Sequence, residues 1–240
     1  MRVPAVDRTI PAPRGGYVPL HNGDHMDAAT FHALYEQTPE GFKAELIGGI
    51  VYVASPVTRR HGRPHSRVVH WLSLYEDDTE GVETLTDTTN RLGEDSEPQP
   101  DAALRILPEF GGQTSESEGD YVLGPSELVV EVAHTTRTID LHGKKRDYEK
   151  AGVLEYLVVL AESSSVRWFS RTKRGFVELR PTDGLVKSRV FPGLWLDPGS
   201  LFERSSSKLL ATIRAGLSSP EHAKFVAKLA ARRSKDSGAP

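Results

Sequence analysis

The run Leu128-Val129-Val130-Glu131-Val132 constrains this chain more than any other stretch. Its consecutive valines and leucine read as a strand within the core. An ionised carboxylate is seldom buried in such a place unless a partner or a cation compensates it. Strand alternation puts Val129, Glu131 and Ala133 on one face and Leu128, Val130 and Val132 on the other. The fold must therefore bring a counter-charge to Glu131.

The flanking sequence predicts how this strand is embedded. Residues before about Asn22 are broken by prolines and Gly15-Gly16 and read as extended. A helix starts at an Asp27 N-cap and ends before Pro39, with Phe31, Leu34 and Tyr35 on one face. Ala44-Glu45-Leu46-Ile47, Gly48-Gly49 and Ile50-Val51-Tyr52-Val53 form a hairpin pattern. A second helix has Pro64 in its first turn and an apolar stripe of Val68, Val69, Leu72 and Tyr75. Strands follow over residues 82–88, 101–107 and 127–134, and the acidic stretch 111–119 reads as a mobile loop. A helix from Asp140 to Ala151-Gly152 precedes a doubly buried strand over 156–160, a hairpin over 166–170 and 176–179, and a packed edge over 191–201. The order predicts an α/β fold, a mixed β-sheet flanked by helices. Residues 1–26 form an extended arm, 27–203 the domain, and 204–240 a helical, basic C-terminal extension.

The 240-residue chain has no cysteine, which excludes disulfides and thiolate chemistry. It has no apolar run near the roughly 18 residues of a membrane helix and no secretory signal over residues 1–17, so a cytoplasmic protein is expected. The net charge of −3 runs against the basic excess of most nucleic-acid binders. Carboxylates that hold a metal count as negative until the cation neutralises them, so local charge decides. Two basic clusters stand out: Arg59, Arg60, Arg63 and Arg67, then Lys224, Lys228, Arg232 and Lys235. Each reads as a phosphate-contact patch or as a solvated face.

Asp101 opens its strand directly after Pro100, and Glu45 is flanked by apolar residues in the first hairpin. If the strands of Asp101 and Glu131 are neighbours, their carboxylates come within reach of one cation. Oxygen ligands without cysteine favour Mg²⁺ or Mn²⁺. After Gly143, Lys144 and Lys145 stand in the first turns of a helix, where an amine can point back at the strand ends. Asp140 reads as that helix's N-cap. His61 and His65 have a zinc-like spacing, but Pro64 predicts a helix start between them and no third ligand is evident.

Pro100-Asp101 and Glu131 resemble the PD-(D/E)xK superfamily of Mg²⁺-dependent nucleases, with one departure: the lysine position two residues after Glu131 is Ala133. The set Glu45-Leu46-Ile47-Gly48-Gly49, Ser55-Pro56, His61, Pro100-Asp101 and Glu131-Val132 resembles the narrower Uma-type restriction-endonuclease family. Asp140, Lys144 and Tyr148, then Ala151-Gly152-Val153-Leu154-Glu155-Tyr156, and Phe191-Pro192-Gly193-Leu194, complete the resemblance. It implies a restriction-endonuclease-like sheet in which the following helix supplies the lysine. Lys144 shares a helix face with Asp140 and Tyr148, whereas Lys145 shares one with Glu149.

The resemblance implies Glu45, Asp101, Glu131 and Lys144 as catalytic residues. It implies a metal held by Asp101, Glu131 and the Val132 backbone carbonyl. His61 is expected near substrate phosphate, Arg63 joins it from the basic cluster, and Tyr148 packs beneath the site within the same substrate-binding set. The implied activity is Mg²⁺- or Mn²⁺-dependent hydrolysis of nucleic-acid phosphodiesters, with DNA as substrate and a homodimer as the form that cuts both strands. The alternative is an inactive nuclease fold that binds nucleic acid or a protein.

Overall fold

The computed structural model describes residues 19–134 and 136–236. The expected N-terminal arm therefore lies outside the described residues up to position 18. Its remainder runs beside the first hairpin, with Gly23 N–H bonding to Val51 O and Met26 N–H to Gly49 O.

Helix α1 (Ala28–Tyr35) is capped by Asp27, whose side chain accepts the Thr30 N–H at 2.7 Å. Strands β1 (Ala44–Ile47) and β2 (Ile50–Val53) pair around Gly48-Gly49. Both glycines have positive φ, +58° and +76°, as a two-residue turn of this hand demands. Helix α2 (Arg59–Asp77) then leads to β3 (Val82–Leu85), β4 (Ala102–Ile106) and β5 (Leu128–Ala133). A π-helical segment, Ile139–Lys144, runs into α3 (Lys145–Ala151), which ends at Gly152 with φ +106°. Strands β6 (Glu155–Leu160), β7 (Ser165–Thr172) and β8 (Gly175–Glu178) follow, then α4 (Ser207–Leu217) and α5 (Pro220–Asp236).

One six-stranded sheet has the order β8-β7-β6-β5-β4-β3. Only β5 and β6 pair in parallel, and α3 lies on the connection between them. The sheet is mixed and flanked by helices, as the sequence predicted. Leu104, Val130, Val132, Leu157 and Val159 face α2, where Val68, Trp71, Leu72 and Tyr75 complete the main core. Trp71, rather than the expected Val69, takes the fully buried place on α2. Val129, Ala133, Tyr156 and Val158 face the other way, against Tyr148 of α3.

Four expectations need correction. Helix α2 begins at Arg59, so Pro64 lies inside it and His61 and His65 share its first two turns. Asp140 is no N-cap: it sits within the π-helical segment, and its own N–H bonds to Thr136 O. The stretch 111–119 is tied down. Ser115 and Glu116 pair with Leu123 and Val122, and Glu116 takes a hydrogen bond from Arg105. The C-terminal segment is built into the core, because Leu209, Ile213 and Leu229 are fully buried within the main cluster. His222 of α5 also bonds to Thr79 Oγ1 at 2.8 Å.

Candidate active site

The strand register creates the site. Ala102 pairs with Val130, so one further step along the antiparallel ladder sets Asp101 opposite Glu131. Beyond the last paired residue, the Val132 N–H turns to Asp101 Oδ2 at 2.7 Å. From α2, His61 Nε2 reaches Asp101 Oδ1 at 3.1 Å, and His65 Nε2 bonds to the Asp101 backbone carbonyl at 2.7 Å. Burial pushes the Asp101 carboxyl up, but the hydrogen bond and charge of His61 and the Val132 N–H outweigh it and hold it low. The same hydrogen bond raises His61 against the opposing effect of burial.

Glu131 is 4% exposed and projects toward α3. Its Oε1 accepts two donors, Lys144 Nζ at 2.9 Å and Tyr148 Oη at 2.7 Å. Lys144, 6% exposed, stands at the end of the π-helical segment and also bonds to Glu45 at 2.8 Å. Its Nζ lies 2.8 Å from both Glu45 oxygens and 2.9 Å from Glu131 Oε1, so its three donors are turned to these two carboxylates. Glu45 is held in turn by the Gln99 N–H at 2.7 Å, which ties the hairpin to the entry of β4. Asp140 lies beneath the same ammonium, with its Oδ2 accepting Thr136 Oγ1 at 2.6 Å.

Four carboxylates, from Glu45, Asp101, Glu131 and Asp140, thus surround one lysine and one histidine. Burial opposes the Lys144 charge, yet Glu131, Glu45 and Asp140 together raise its pKa and keep it an ammonium. Glu131 is pushed well up by burial, against the pull of Lys144 and with added repulsion from the other acids. Asp140 is pushed up to about 6, again chiefly by burial. An acid cluster with this surplus negative charge calls for a proton or a further cation. Glu131 Oε2 accepts no hydrogen bond from the described residues. His61, His65 and Asp101 each offer a ligand atom within 4.8 Å of the other two. That group, one carboxylate and two imidazoles, fits a divalent cation.

The sequence-predicted residues separate by what they touch. Glu45, Asp101, Glu131 and Lys144 do come together, as does His61. Lys145 does not: its ammonium lies 4.3 Å from the centroid of Phe169. The expected Lys145–Glu149 pairing is replaced, because Glu149 accepts the Phe176 N–H. Tyr148 is 1% exposed and its hydroxyl is engaged with Glu131, so it braces the carboxylate rather than meeting substrate. Arg63 is turned away from Asp101 and bonds to the Glu203 carbonyl at 2.9 Å. Val132 meets the site through its N–H. Sequence reasoning missed His65 and the acid role of Asp140. The signals were present, as one-turn spacings from His61 and Lys144.

A protein-family model described as "Putative restriction endonuclease", Uma2, matches residues 28–199. The chain belongs to the Uma2 family. That match spans the hairpin, both carboxylate strands and the lysine helix. Among solved structures, a "putative nuclease belonging to DUF820" from Anabaena variabilis ATCC 29413 superposes with a TM-score of 0.50 at 13% identity. The alignment covers 75% of this chain and 96% of that one, a likeness of fold. Comparison with curated proteins finds no match.

Proposed function

We propose that this Uma2 chain is a metal-dependent endonuclease that hydrolyses nucleic-acid phosphodiester bonds, with DNA as substrate. The observation that carries the reading is the juxtaposition of Asp101 and Glu131 on paired strands, with the Lys144 ammonium on Glu131 Oε1. Asp101 and Glu131 would hold Mg²⁺ or Mn²⁺, which supplies positive charge to the phosphoryl oxygens and acidifies water.

The protein's own groups perform the remaining work. Lys144 is placed to offset phosphate charge, or to turn a donor from Glu45 to the attacking water. Glu45 and Glu131 fix its amine between them, and Tyr148 and Gln99 fix those carboxylates in turn. His61 on the exposed side of Asp101 is placed to shuttle a proton or meet a phosphate oxygen. A second reading follows from the same bonds: Glu45–Lys144–Glu131 is a closed ion network that can serve structure alone, in a fold that binds without cutting.

The test is cleavage of single- and double-stranded oligonucleotides by the full chain with Mn²⁺, with Mg²⁺, and with chelator. Metal-dependent products that Asp101→Asn abolishes support the reading. Metal binding without products under any of these conditions supports the binding module. Sedimentation with and without duplex tests whether two copies assemble to cut both strands.

A further inference from the structure

We propose that a hollow lined by Arg59, Arg60 and Arg63 holds a backbone phosphate of the strand being cut, a few nucleotides from the scissile bond. The inference rests on the nuclease reading and adds where the strand runs. The hollow, about 340 Å³, lies between the start of α2, the turn after β6 and the Leu201-Phe202 pair.

Topology puts it at the right end of the sheet. Strand β6 runs parallel to β5, and its last residue, Leu160, pairs with Ala133. The turn at Ala161–Ser164 therefore leaves the sheet at the end where Asp101 and Glu131 stand. Helix α2 divides its first two turns between two tasks. At about 100° per residue, His61 and His65 lie within roughly 40° of each other. Arg59, Arg60 and Arg63 fall some 100–160° away from His61 on the same helix. One flank thus meets Asp101 and the other faces the hollow.

The charge is suited to an anion. Arg59 and Arg60 are exposed and have no ion-pair partner among the described residues. Arg63 is held by its bond to the Glu203 carbonyl, which fixes one guanidinium on the rim before any ligand arrives. Glu162 is the one acid in the lining, set against three guanidinium groups. Arginine's planar fork matches phosphate oxygens in a bidentate manner.

Helix α2 sets the spacing. With its side chains it is ~10–12 Å across, so a strand bound at Asp101 and passing over the exposed segment from Ser55 to Thr58 presents a phosphate a few nucleotides along to the hollow. The other basic stripe is badly placed for this strand. Arg233 of α5 stacks on Phe110 and pairs with Glu80, beyond the far end of β4 from Asp101.

The experiment measures binding of a fluorescein-labelled oligonucleotide by the full-length Asp101→Asn protein, by anisotropy across a salt series. Adding Arg59→Ala and Arg60→Ala should lower the slope of log K against log salt by about 0.7–0.9, for one lost phosphate contact. Glu162→Gln should tighten binding. Lys224→Ala with Lys228→Ala should leave the slope where it was. Circular dichroism melts against the Asp101→Asn parent confirm that each variant folds, since the arginine, glutamate and lysine positions changed are exposed. In the active protein, a neutral methylphosphonate scanned along the strand should slow cleavage at one position a few nucleotides to one side of the cut, besides the scissile position itself. An unchanged slope in the arginine variant, or a slope lost only in the lysine variant, overturns the proposal. An arginine-dependent slope in a protein that cuts nothing with Mn²⁺ or Mg²⁺ would overturn the nuclease reading instead.

Discussion

Replacing Lys144 by methionine keeps the length of the side chain and removes its charge, which isolates what the ammonium does. The structure gives it two short bonds, 2.8 Å to Glu45 and 2.9 Å to Glu131, in a place where only 6% of the residue is exposed. Breaking a buried pair by deleting one partner costs about 3–5 kcal/mol, because the remaining charge is left uncompensated. Lys144→Met should therefore lower the free energy of unfolding by an amount in that range, measured by urea titration at neutral pH without divalent metal. Turnover at saturating Mn²⁺ should fall by about 10² or more, as for loss of a positioned acid–base group. The control is the neighbouring residue. Lys145→Met removes a cation–π contact to Phe169, worth about 0.5–1 kcal/mol at a site of this exposure, and should leave turnover almost unchanged. Equal losses in the two variants would refute the assignment of Lys144. A large stability loss in Lys144→Met with full turnover would leave the lysine a structural group alone.

Two other outcomes follow from the core. Glu155 is fully buried and accepts bonds from Ser188 Oγ, the Arg189 N–H and Trp168 Nε1, yet burial outweighs these donors and pushes its carboxyl up to about 7. Its folded pKa lies above its unfolded one, so its contribution is complete below about pH 4.5 and is lost as pH rises toward 7. Glu155→Gln, which stays neutral, should gain on the parent by up to about 3 kcal/mol across that window in urea titrations, and parallel pH curves would contradict this. For the C-terminal helices, Leu229→Ala should cost about 2–5 kcal/mol, and truncation after Ser218 more, by removing Leu229, Phe225 and His222 from the core. A truncated chain with the parent's melting temperature would restore the extension to an appendage.

The parts of the fold read most easily were those whose side chains alternate or run apolar. Strands β4, β5 and β6 lie within a residue or two of their predicted ends, because their hydrophobic runs are set by burial on both faces. The pairing of Asp101 with Glu131 followed from two such strands being neighbours. Lys144 was legible only with Ala133 beside it: the vacant lysine position lies 2% exposed among apolar groups, and the amine arrives from the next helix. Pro64 misled because proline favours a first turn, whereas here it sits buried in the sixth position of α2. Reading the helix start too late separated His61 from His65 and hid their convergence on Asp101. The C-terminal segment misled through composition. Its serines and lysines describe the outward face, while three buried positions, Leu209, Ile213 and Leu229, decide where it docks. No helix among the described residues is long and apolar enough to cross a membrane.

The central claim is that Asp101 and Glu131 form one cation site, and calorimetric titration of the full chain with Mn²⁺ tests it most directly. The account predicts saturable binding to the parent protein and none to Asp101→Asn, whose melting temperature should stay near the parent's. Mn²⁺ affinity in Asp101→Asn equal to that of the parent would contradict it.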